Sequence, residues 1–288
     1  MKLDRALYPW RQNFLNLRGH NLHYVDEGQQ HAKTLLMLHG NPTWSFYYRH
    51  LIKNFSAHHR CVVPDHMGMG LSDRPQDYAY TLENHIQNLV QLVRFLDLKN
   101  ITLVLHDWGG AIGMGLATRH PELIKAIVVL NTAAFPSPNL PKRIALCKLP
   151  HVGEAIVRGL NGFAWPATFM ASKKGLSAAV KKAYLAPYDS WKNRIAVARF
   201  VQDIPMDSGH PTWQTLRQVE AGLKQLKVPK LIIWGGKDFC FDHTFFERWM
   251  EIYPDADAHW LAEAGHYVLE DAPQECVNLM SHFLGQRA

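Results

Sequence analysis

One aspartate stands where an apolar strand would turn sharply into a helix. In the segment Leu103-Val-Leu-His-Asp-Trp-Gly-Gly-Ala-Ile-Gly, Asp107 and Trp108 are followed by Gly109 and Gly110. Such a turn strains one residue and lifts its side chain above the sheet, and the small residues let the helix pass close to the strand. A serine there attacks acyl carbons, whereas an aspartate displaces a leaving group from carbon and forms an alkyl ester. We therefore predict that Asp107 is a covalent nucleophile; the alternative is an aspartate that caps the following helix.

A histidine and an acid follow in the order that such a nucleophile needs. His266 lies in Glu263-Ala-Gly-His-Tyr-Val-Leu-Glu, after the last predicted strand, whereas any other of the 17 histidines lacks this position. Asp238 comes one strand earlier and would orient the imidazole and stabilise its cation. Its rival is Asp242, since the position after the preceding strand is Asn131, which is no carboxylate.

Anion donors are predicted on either side of Asp107. The segment His39-Gly-Asn-Pro follows an apolar strand, and a loop of this kind donates a backbone N–H to an oxyanion hole. The side-chain amide of Asn41 and the indole N–H of Trp108 could both hold an anion beside the nucleophile. By itself, His39-Gly-Asn-Pro would be read as an ordinary turn, because glycine, asparagine and proline all favour turns.

Other patterns carry no chemistry that we can assign. The segment Asp65-His-Met-Gly-Met-Gly lacks the third glycine of a dinucleotide fingerprint, so we expect a tight turn with Asp65 bonding locally. The histidines show no metal-ligand spacing, and we expect neither a metal nor a cofactor. The widely spaced cysteines favour a reducing cytoplasm over a disulfide framework or a zinc site; they are Cys61, Cys147, Cys240 and Cys276.

Short apolar runs alternate with helical patterns along most of the chain. This alternation is typical of a mostly parallel sheet with helices on both faces. The clearest predicted helix covers 82–96, where apolar residues recur at helical spacing. The eight predicted strands cover 14–17, 22–25, 35–38, 61–63, 101–105, 126–130, 230–234 and 258–261.

The alternation is interrupted once, after Asn131. Three prolines are followed by about seventy residues of helical character, and strand character returns only at Val228. A helical insert at this point would be a lid over the carboxyl ends of the strands, where open α/β sheets bind ligands. We predict an α/β-hydrolase core formed by 1–134 and 213–288 and a helical lid formed by 135–212.

Charge is distributed unevenly. The 288 residues carry a formal net charge of +6, but 142–199 hold 11 Lys/Arg and two acids, a balance of +9. No aromatic nucleic-acid-binding motif accompanies these cations, so nucleic acid is not an expected partner. We interpret the cationic segment as a docking surface or simply as a solvated face. No signal-peptide or transmembrane segment is predicted.

The combined motifs resemble the haloalkane dehalogenases over the whole chain. His-Gly-Asn-Pro, His-Asp-Trp-Gly-Gly and the late Gly-His are the matching segments. In that family the residues equivalent to Asn41 and Trp108 cradle the departing halide. Epoxide hydrolases share the aspartate but carry an aromatic residue where Asn41 stands, and they use two lid tyrosines. Tyr184 and Tyr188 leave that alternative open.

A finer resemblance is to the β-lactone decarboxylases of bacterial long-chain olefin biosynthesis. It implies a cis-3,4-dialkyl oxetan-2-one substrate, cis-alkene and carbon dioxide as products, no cofactor, and an assembly with the β-lactone synthetase and reductase of that pathway. Haloalkane dehalogenase is the main alternative, and a non-catalytic ligand receptor is a further one. The segments that carry the resemblance are 39–45, 64–73, 130–135, 183–195, 202–205, 239–243 and 266–271.

We also hypothesise how the residues act on such a substrate. Asp107 would attack the ring carbon that bears the lactone oxygen, although attack at the carbonyl is an alternative. Apolar lid residues would line two alkyl channels, although core packing accounts for some of them as well. The lining candidates are Phe163, Trp165, Phe169, Met170, Tyr184 and Phe200.

Overall fold

A computed structural model describes residues 4–30 and 32–285 of the chain. The eight predicted strands are confirmed, with ends that differ from the predictions by a few residues. The strands are β1 (Asn13–Leu17), β2 (His20–Glu27), β3 (Thr34–Leu38), β4 (Arg60–Pro64), β5 (Ile101–Asp107), β6 (Ile124–Thr132), β7 (Lys230–Gly235) and β8 (Asp257–Leu261).

The strands form one sheet in the order β1-β2-β4-β3-β5-β6-β7-β8. The pairs β1–β2 and β2–β4 are antiparallel, and all the others are parallel. The connection from β3 leads to β4 on one side of it, whereas the connection from β5 leads to β6 on the opposite side. The strand order therefore reverses between the adjacent strands β3 and β5, which is a topological switch point. Ligands of open α/β sheets bind outside the carboxyl ends of the strands at such a point.

Helices cover both faces of the sheet. Helices α1 and α12 bury their apolar residues on one face, while α2, α3, α9 and α10 do so on the other. The predicted helix 82–96 is confirmed as α2, which begins after Thr81, whose hydroxyl accepts a hydrogen bond from Asn84 N. Within the described residues the α-helices are α1 (Arg49–Phe55), α2 (Leu82–Phe95), α3 (Trp108–Arg119), α4 (Lys142–Lys148), α5 (Val152–Glu154), α6 (Ala164–Met170), α7 (Ala178–Leu185), α8 (Ile195–Gln202), α9 (Pro211–Leu223), α10 (His243–Ile252), α11 (Val268–Asp271) and α12 (Pro273–Gly285).

The central strands are buried on both faces. Every residue of β3 and β5 is buried, and so is every residue of β6 except Lys125. Nearly continuous apolar strands of this kind are what a sheet covered by helices requires. The strand ends therefore have fixed positions, and the loops that follow β3, β5, β7 and β8 meet above one edge of the sheet.

The chain between β6 and β7 is helical and contains α4 to α9. Residues of α4, α6 and α8 border the cavity that Asp107 lines at the end of β5, whereas α9 packs against α2 and α3. The predicted boundary between the lid and the second part of the core, after residue 212, falls within the first turn of α9. None of the described helices has the length and apolar character needed to cross a bilayer.

Candidate active site

Asp107 occupies a strained turn between β5 and α3. Its backbone has φ +51° and ψ −128°, a conformation that side chains rarely adopt. A Cβ on Gly109 would lie 2.0 Å from the carbonyl oxygen of Leu38, and one on Gly110 would lie 1.8 Å from Thr132 Oγ1. The two glycines therefore let α3 start directly against β3 and β6, and this close approach holds Asp107 above the sheet.

Backbone donors hold the carboxylate of Asp107. The N–H of Asn41 donates to its Oδ1 over 2.6 Å, and the N–H of Trp108 also donates to the carboxylate. Burial raises the pKa of Asp107, although His266 and the two N–H donors oppose the rise by favouring the anion. The result is a buried carboxylate with Oδ1 held in place and Oδ2 directed toward His266.

His266 and Asp238 complete a line of three side chains. His266 Nδ1 donates to Asp238 Oδ2 over 2.8 Å, and its Nε2 lies 3.8 Å from Asp107 Oδ2. Burial disfavours the imidazolium, but the carboxylates of Asp238 and Asp107 outweigh it and raise the pKa of His266. The sequence-predicted rivals lie elsewhere: Asp242 caps α10 by accepting from Thr244 N, and Asn131 bonds to the backbone of Gly235.

The two predicted anion donors lie beside Asp107. Asn41 uses one hydrogen of its amide on the carbonyl oxygen of Val197 in α8, at 3.1 Å, and its amide oxygen accepts no hydrogen bond from the described residues. Trp108 follows Asp107 directly and rests edge-on against Phe200, with ring centroids 5.3 Å apart. Both side chains face the same cavity as Asp107 and His266.

A cavity of about 420 Å³ extends from Asp107 into the space below α4 and α6. Its inner end is polar, where Asp107, His266 and Asn41 meet, and Asn139 and Arg143 add polar groups elsewhere in the lining. The remainder is formed mainly by aliphatic and aromatic side chains of the core loops and the helices above them. Examples of this apolar wall are Phe135, Ile144, Phe163, Met170, Val201 and Phe245.

Two of the six sequence-predicted lining residues lie at this wall, and four do not. Phe163 and Met170 line the cavity together with Pro166 and Ala167, the spacing of one helical face. Trp165 and Phe169 lie on the opposite face of α6 and are 55% and 52% exposed. The prediction that these two aromatic residues line the cavity is therefore corrected.

The other two corrected candidates are buried away from the wall. Phe200 packs between Trp108 and His85, stacked on the imidazole of His85 with ring centroids 4.4 Å apart. Tyr184 donates its hydroxyl to Glu270 and stacks on Tyr267. Each supports residues that border the cavity without being part of its surface.

The two tyrosines that an epoxide hydrolase would need are both engaged elsewhere. The hydroxyl of Tyr184 bonds to Glu270, and that of Tyr188 bonds to the carbonyl oxygen of Thr43 at 3.3 Å. Neither side chain borders the cavity. The geometry therefore offers no tyrosine pair to an epoxide oxygen near Asp107.

Sequence reasoning did not single out several residues that border the site. Phe241 stacks on the imidazole of His266, with ring centroids 5.7 Å apart, and Phe135 and Phe245 form the wall beside it. The sequence indicated two of them only through their position, because Phe135 and Phe241 lie in the loops that follow β6 and β7. Within the residues that the structure describes, no group of His, Cys, Asp or Glu has the arrangement of a metal site.

The described geometry agrees with the similarity of this chain to known proteins. Residues 33–273 match the model of the α/β-hydrolase fold family. A cis-3-alkyl-4-alkyloxetan-2-one decarboxylase of Shewanella oneidensis is 47% identical over 97% of this chain and 90% of its own length. One of the same name from Xanthomonas campestris pv. campestris is 40% identical over 96% and 97%.

A solved structure shows the same architecture. The haloalkane dehalogenase DatA of Agrobacterium tumefaciens superposes with a TM-score of 0.88 at 26% identity, covering 99% of this chain and all of its own. Its architecture and the family match agree with the eight-stranded sheet described above. The chain is therefore an enzyme of the α/β-hydrolase fold family, in the haloalkane dehalogenase-like branch that includes the cis-3-alkyl-4-alkyloxetan-2-one decarboxylases.

Proposed function

We propose that this enzyme converts cis-3,4-dialkyl oxetan-2-ones into cis-alkenes and carbon dioxide, as a step of long-chain olefin biosynthesis. The observation that supports the proposal is the position of the Asp107 carboxylate at one end of a mainly apolar cavity. Such a cavity suits a substrate with one small polar ring and alkyl arms. The names of the two decarboxylase relatives supply the reaction.

In the first step, Oδ2 of Asp107 attacks the ring carbon that bears the lactone oxygen. The new bond joins Oδ2 to that carbon, the carbon–oxygen bond of the ring breaks, and the carbon is inverted. The electron pair of the broken bond stays on the freed carboxylate. The free amide hydrogen of Asn41 and the indole N–H of Trp108 are the donors that we assign to this new anion.

In the second step, the freed carboxylate leaves as carbon dioxide. The electrons of the bond between the carboxylate and the ring-derived carbon form the alkene, and the bond to Asp107 breaks at the same time. The donors Asn41 N and Trp108 N stabilise the departing Asp107 carboxylate as they do in the free enzyme. Inversion followed by anti elimination converts a cis ring into a cis alkene.

His266 has no water to activate in this cycle. Its raised pKa favours the imidazolium, which lies between the carboxylates of Asp238 and Asp107. We therefore assign His266 to charge balance and to the positioning of Asp107, with Asp238 as the residue that orients it. Attack of Asp107 at the lactone carbonyl, through a mixed anhydride, is the alternative first step.

The second candidate function is haloalkane dehalogenation, because Asn41 and Trp108 could equally hold a departing halide. That reaction needs a water molecule and a neutral imidazole to hydrolyse the alkyl ester. An epoxide hydrolase is disfavoured because Tyr184 and Tyr188 are turned away from the cavity. A ligand receptor is disfavoured because the nucleophile, histidine, acid and anion donors all meet at the site.

We further propose that 135–212 is the lid of the site and that 1–134 with 213–288 is the core. The resemblance also leads us to propose an assembly with a β-lactone synthetase and a reductase in the cytoplasm. Co-purification of the three enzymes tests that assembly, and its survival in a high-salt wash would argue against an electrostatic contact.

Product analysis by gas chromatography tests the reaction. Purified enzyme is offered a cis-β-lactone and, separately, 1-bromobutane, with Asp107→Ala as the inactive control. We expect cis-alkene from the lactone, little bromide release, and neither product from the variant. Bromide release with the lactone untouched would refute the decarboxylase and establish the dehalogenase.

A single turnover in oxygen-labelled water tests the water-free cycle. We expect the Asp107 carboxylate to remain unlabelled, since elimination breaks only its bond to the substrate carbon. Label in Asp107 after decarboxylation would show that water cleaves an ester at its carbonyl, which the cycle above excludes.

A further inference from the structure

The outer face of the helices between β6 and β7 is unusually apolar. The described residues include eleven large hydrophobic side chains that are exposed, and seven of them lie between residues 146 and 191. Leu160 is the most exposed of them, at 80%. The seven are Leu146, Leu149, Val152, Leu160, Trp165, Phe169 and Trp191. A large exposed apolar surface of this kind often marks a site of interaction with a protein or a membrane.

The same segment carries exposed cations for which no ion pair is seen among the described residues. The two acids of 142–199 are engaged within the segment, since Glu154 pairs with Arg158 and Asp189 accepts from Asn193. The exposed cations are Lys142, Arg143, Lys173, Lys174, Lys182 and Lys192. We call these six cations and the seven exposed apolar residues the cap face.

The cap face is continuous with the mouth of the active-site cavity. Leu146 is 48% exposed and also lines the cavity, as does the exposed Arg143. Arg143 reaches Met170 Sδ over 3.2 Å, which joins α4 to α6 at this opening. Helix α6 is apolar on both sides, with Met170 toward the cavity and Trp165 and Phe169 toward the outside. The cavity that reaches Asp107 therefore meets the surface at the cap face.

The composition of the cap face favours a lipid surface over a protein partner. Five of its six cations are lysines, and protein interfaces are depleted in lysine. Exposed Trp, Phe and Leu with Lys at the edge are typical of segments that lie in a membrane interface. The ammonium group of Lys181 lies 3.9 Å from the centre of the Phe169 ring, a cation–π contact that places a further positive charge beside this exposed aromatic side chain.

We propose that the cap face docks on the surface of an anionic lipid bilayer, where the cavity mouth takes up its apolar substrate. The exposed aromatic and aliphatic side chains enter the boundary between headgroups and acyl chains, and the lysines contact lipid phosphates. This contact needs no membrane-spanning helix. The proposal goes beyond the reaction itself, because binding to lipid requires no turnover.

Vesicle flotation without substrate tests the proposal. Full-length protein is mixed with vesicles of phosphatidylcholine alone or with equimolar phosphatidylglycerol, and the floating fraction is measured at low and high salt. We expect binding to the anionic vesicles at low salt, a weaker signal at high salt, and little binding to phosphatidylcholine.

Two double variants separate the apolar and the electrostatic contributions. Trp165→Ser with Phe169→Ser should reduce the partition at least about tenfold, by removing two inserted rings. Lys173→Glu with Lys174→Glu should also reduce it at least about tenfold, because each lysine near an anionic surface contributes roughly a fivefold factor. Circular dichroism melting checks that both proteins fold.

Matched variants outside the cap face are the controls. Phe95→Ser with Trp260→Ser removes an exposed Phe and Trp, and Lys224→Glu with Lys227→Glu reverses two exposed lysines near the end of α9. Both should bind vesicles as the unchanged protein does. The proposal would be overturned if the unchanged protein failed to float with anionic vesicles, including the case in which the cap face binds a protein instead. It would also be overturned if the control variants lost as much vesicle binding as the cap-face variants.

Discussion

Replacement of Asp271 by asparagine tests how the histidine loop is held. Asp271 is fully buried in α11, five residues after His266, and its Oδ2 accepts from the N–H of Gly265 at 2.7 Å. Its Oδ1 accepts from Ser172 Oγ at 2.7 Å and from Lys174 N at 2.9 Å, and Lys173 N reaches both oxygens. One carboxylate therefore ties the segment before α7 to the residue that precedes His266.

The magnitude follows from the number of donors that an asparagine would leave unpaired. An asparagine has one amide oxygen in place of the two carboxylate oxygens. If that oxygen accepts from Ser172 and Lys174, the NH₂ group faces the Gly265 N–H, and two donors then point at each other. One buried donor left unpaired costs about 1–3 kcal/mol, and the remaining bonds lose the strengthening that the charge gave them. We expect Asp271→Asn to lower the free energy of unfolding by about 3 kcal/mol and the melting temperature by roughly 6 °C or more.

The same change should lower kcat at least about tenfold, because a loosened Gly265 shifts the imidazole of His266 relative to Asp107. Ser172→Ala removes a single donor and spares Gly265, so it should cost about 1 kcal/mol and leave kcat nearly unchanged. Asp255→Asn, at an exposed position, is the control for stability and rate. An unchanged kcat in Asp271→Asn, despite a lower melting temperature, would refute the link to His266.

Three further outcomes are expected. Decarboxylation should slow as the pH falls through the raised pKa of Asp107, because this carboxylate must be ionised to attack. It should also slow as the pH rises through the raised pKa of His266, because the imidazolium is then lost. A pH–rate profile that stays flat on the alkaline side would contradict the role of that cation. Burial raises the pKa of Asp203 to about 6, so the folded state favours its protonated form. The free energy of unfolding of the unchanged protein, relative to that of Asp203→Asn, should therefore rise by up to about 3 kcal/mol between about pH 7 and about pH 4. Urea unfolding at each pH measures this difference, and a decrease toward pH 4 would contradict the prediction. Gly109→Ala places a Cβ 2.0 Å from a backbone oxygen of β3 and should cost about 3 kcal/mol or more and abolish activity, whereas Gly285→Ala, in open space, should do neither in melting and product assays.

The sheet could be predicted because its central strands are short, continuous apolar runs bounded by turn residues. The meeting of Asp107, Asp238 and His266 followed from their positions after three such strands, since parallel strands end at one edge. These three were brought together although as many as 159 positions separate Asp107 from His266. The sequence carries this information because strand order and direction leave little freedom to the loops.

The cavity wall could not be predicted in the same way. Helix α6 is apolar on two faces, so its pattern did not decide whether Phe163 and Met170 or Trp165 and Phe169 face the cavity. The choice depends on how α6 sits against α7 and the core, which is a tertiary property. Tyr184 is a similar case, because its position depends on Glu270, which is 86 residues away in the chain.

Decarboxylation and hydrolysis would share the first covalent step, so the fate of the ester on Asp107 distinguishes them. Hydrolysis needs a base that activates water toward the ester carbonyl, and His266 is the base available at 3.8 Å from Oδ2. Decarboxylation needs no base, because the substrate's own carboxylate supplies the electrons that expel Asp107. In the proposed cycle, the backbone N–H groups of Asn41 and Trp108, which donate to this carboxylate, would stabilise Asp107 both as the nucleophile and as the leaving group.

His266→Ala should therefore separate the two reactions. With a cis-β-lactone, we expect slower formation of cis-alkene, reduced by about a hundredfold because Asp107 loses the neighbouring cation that favours its ionised form for attack. Intact mass spectrometry should then find no ester accumulating on the protein. With 1-bromobutane, any alkyl-enzyme that forms should persist, since no base remains to hydrolyse it. Asp107→Ala is the control that forms neither adduct. A lactone-derived adduct that accumulates on Asp107 in His266→Ala would show that the ester waits for a base, and the water-free cycle would then be wrong.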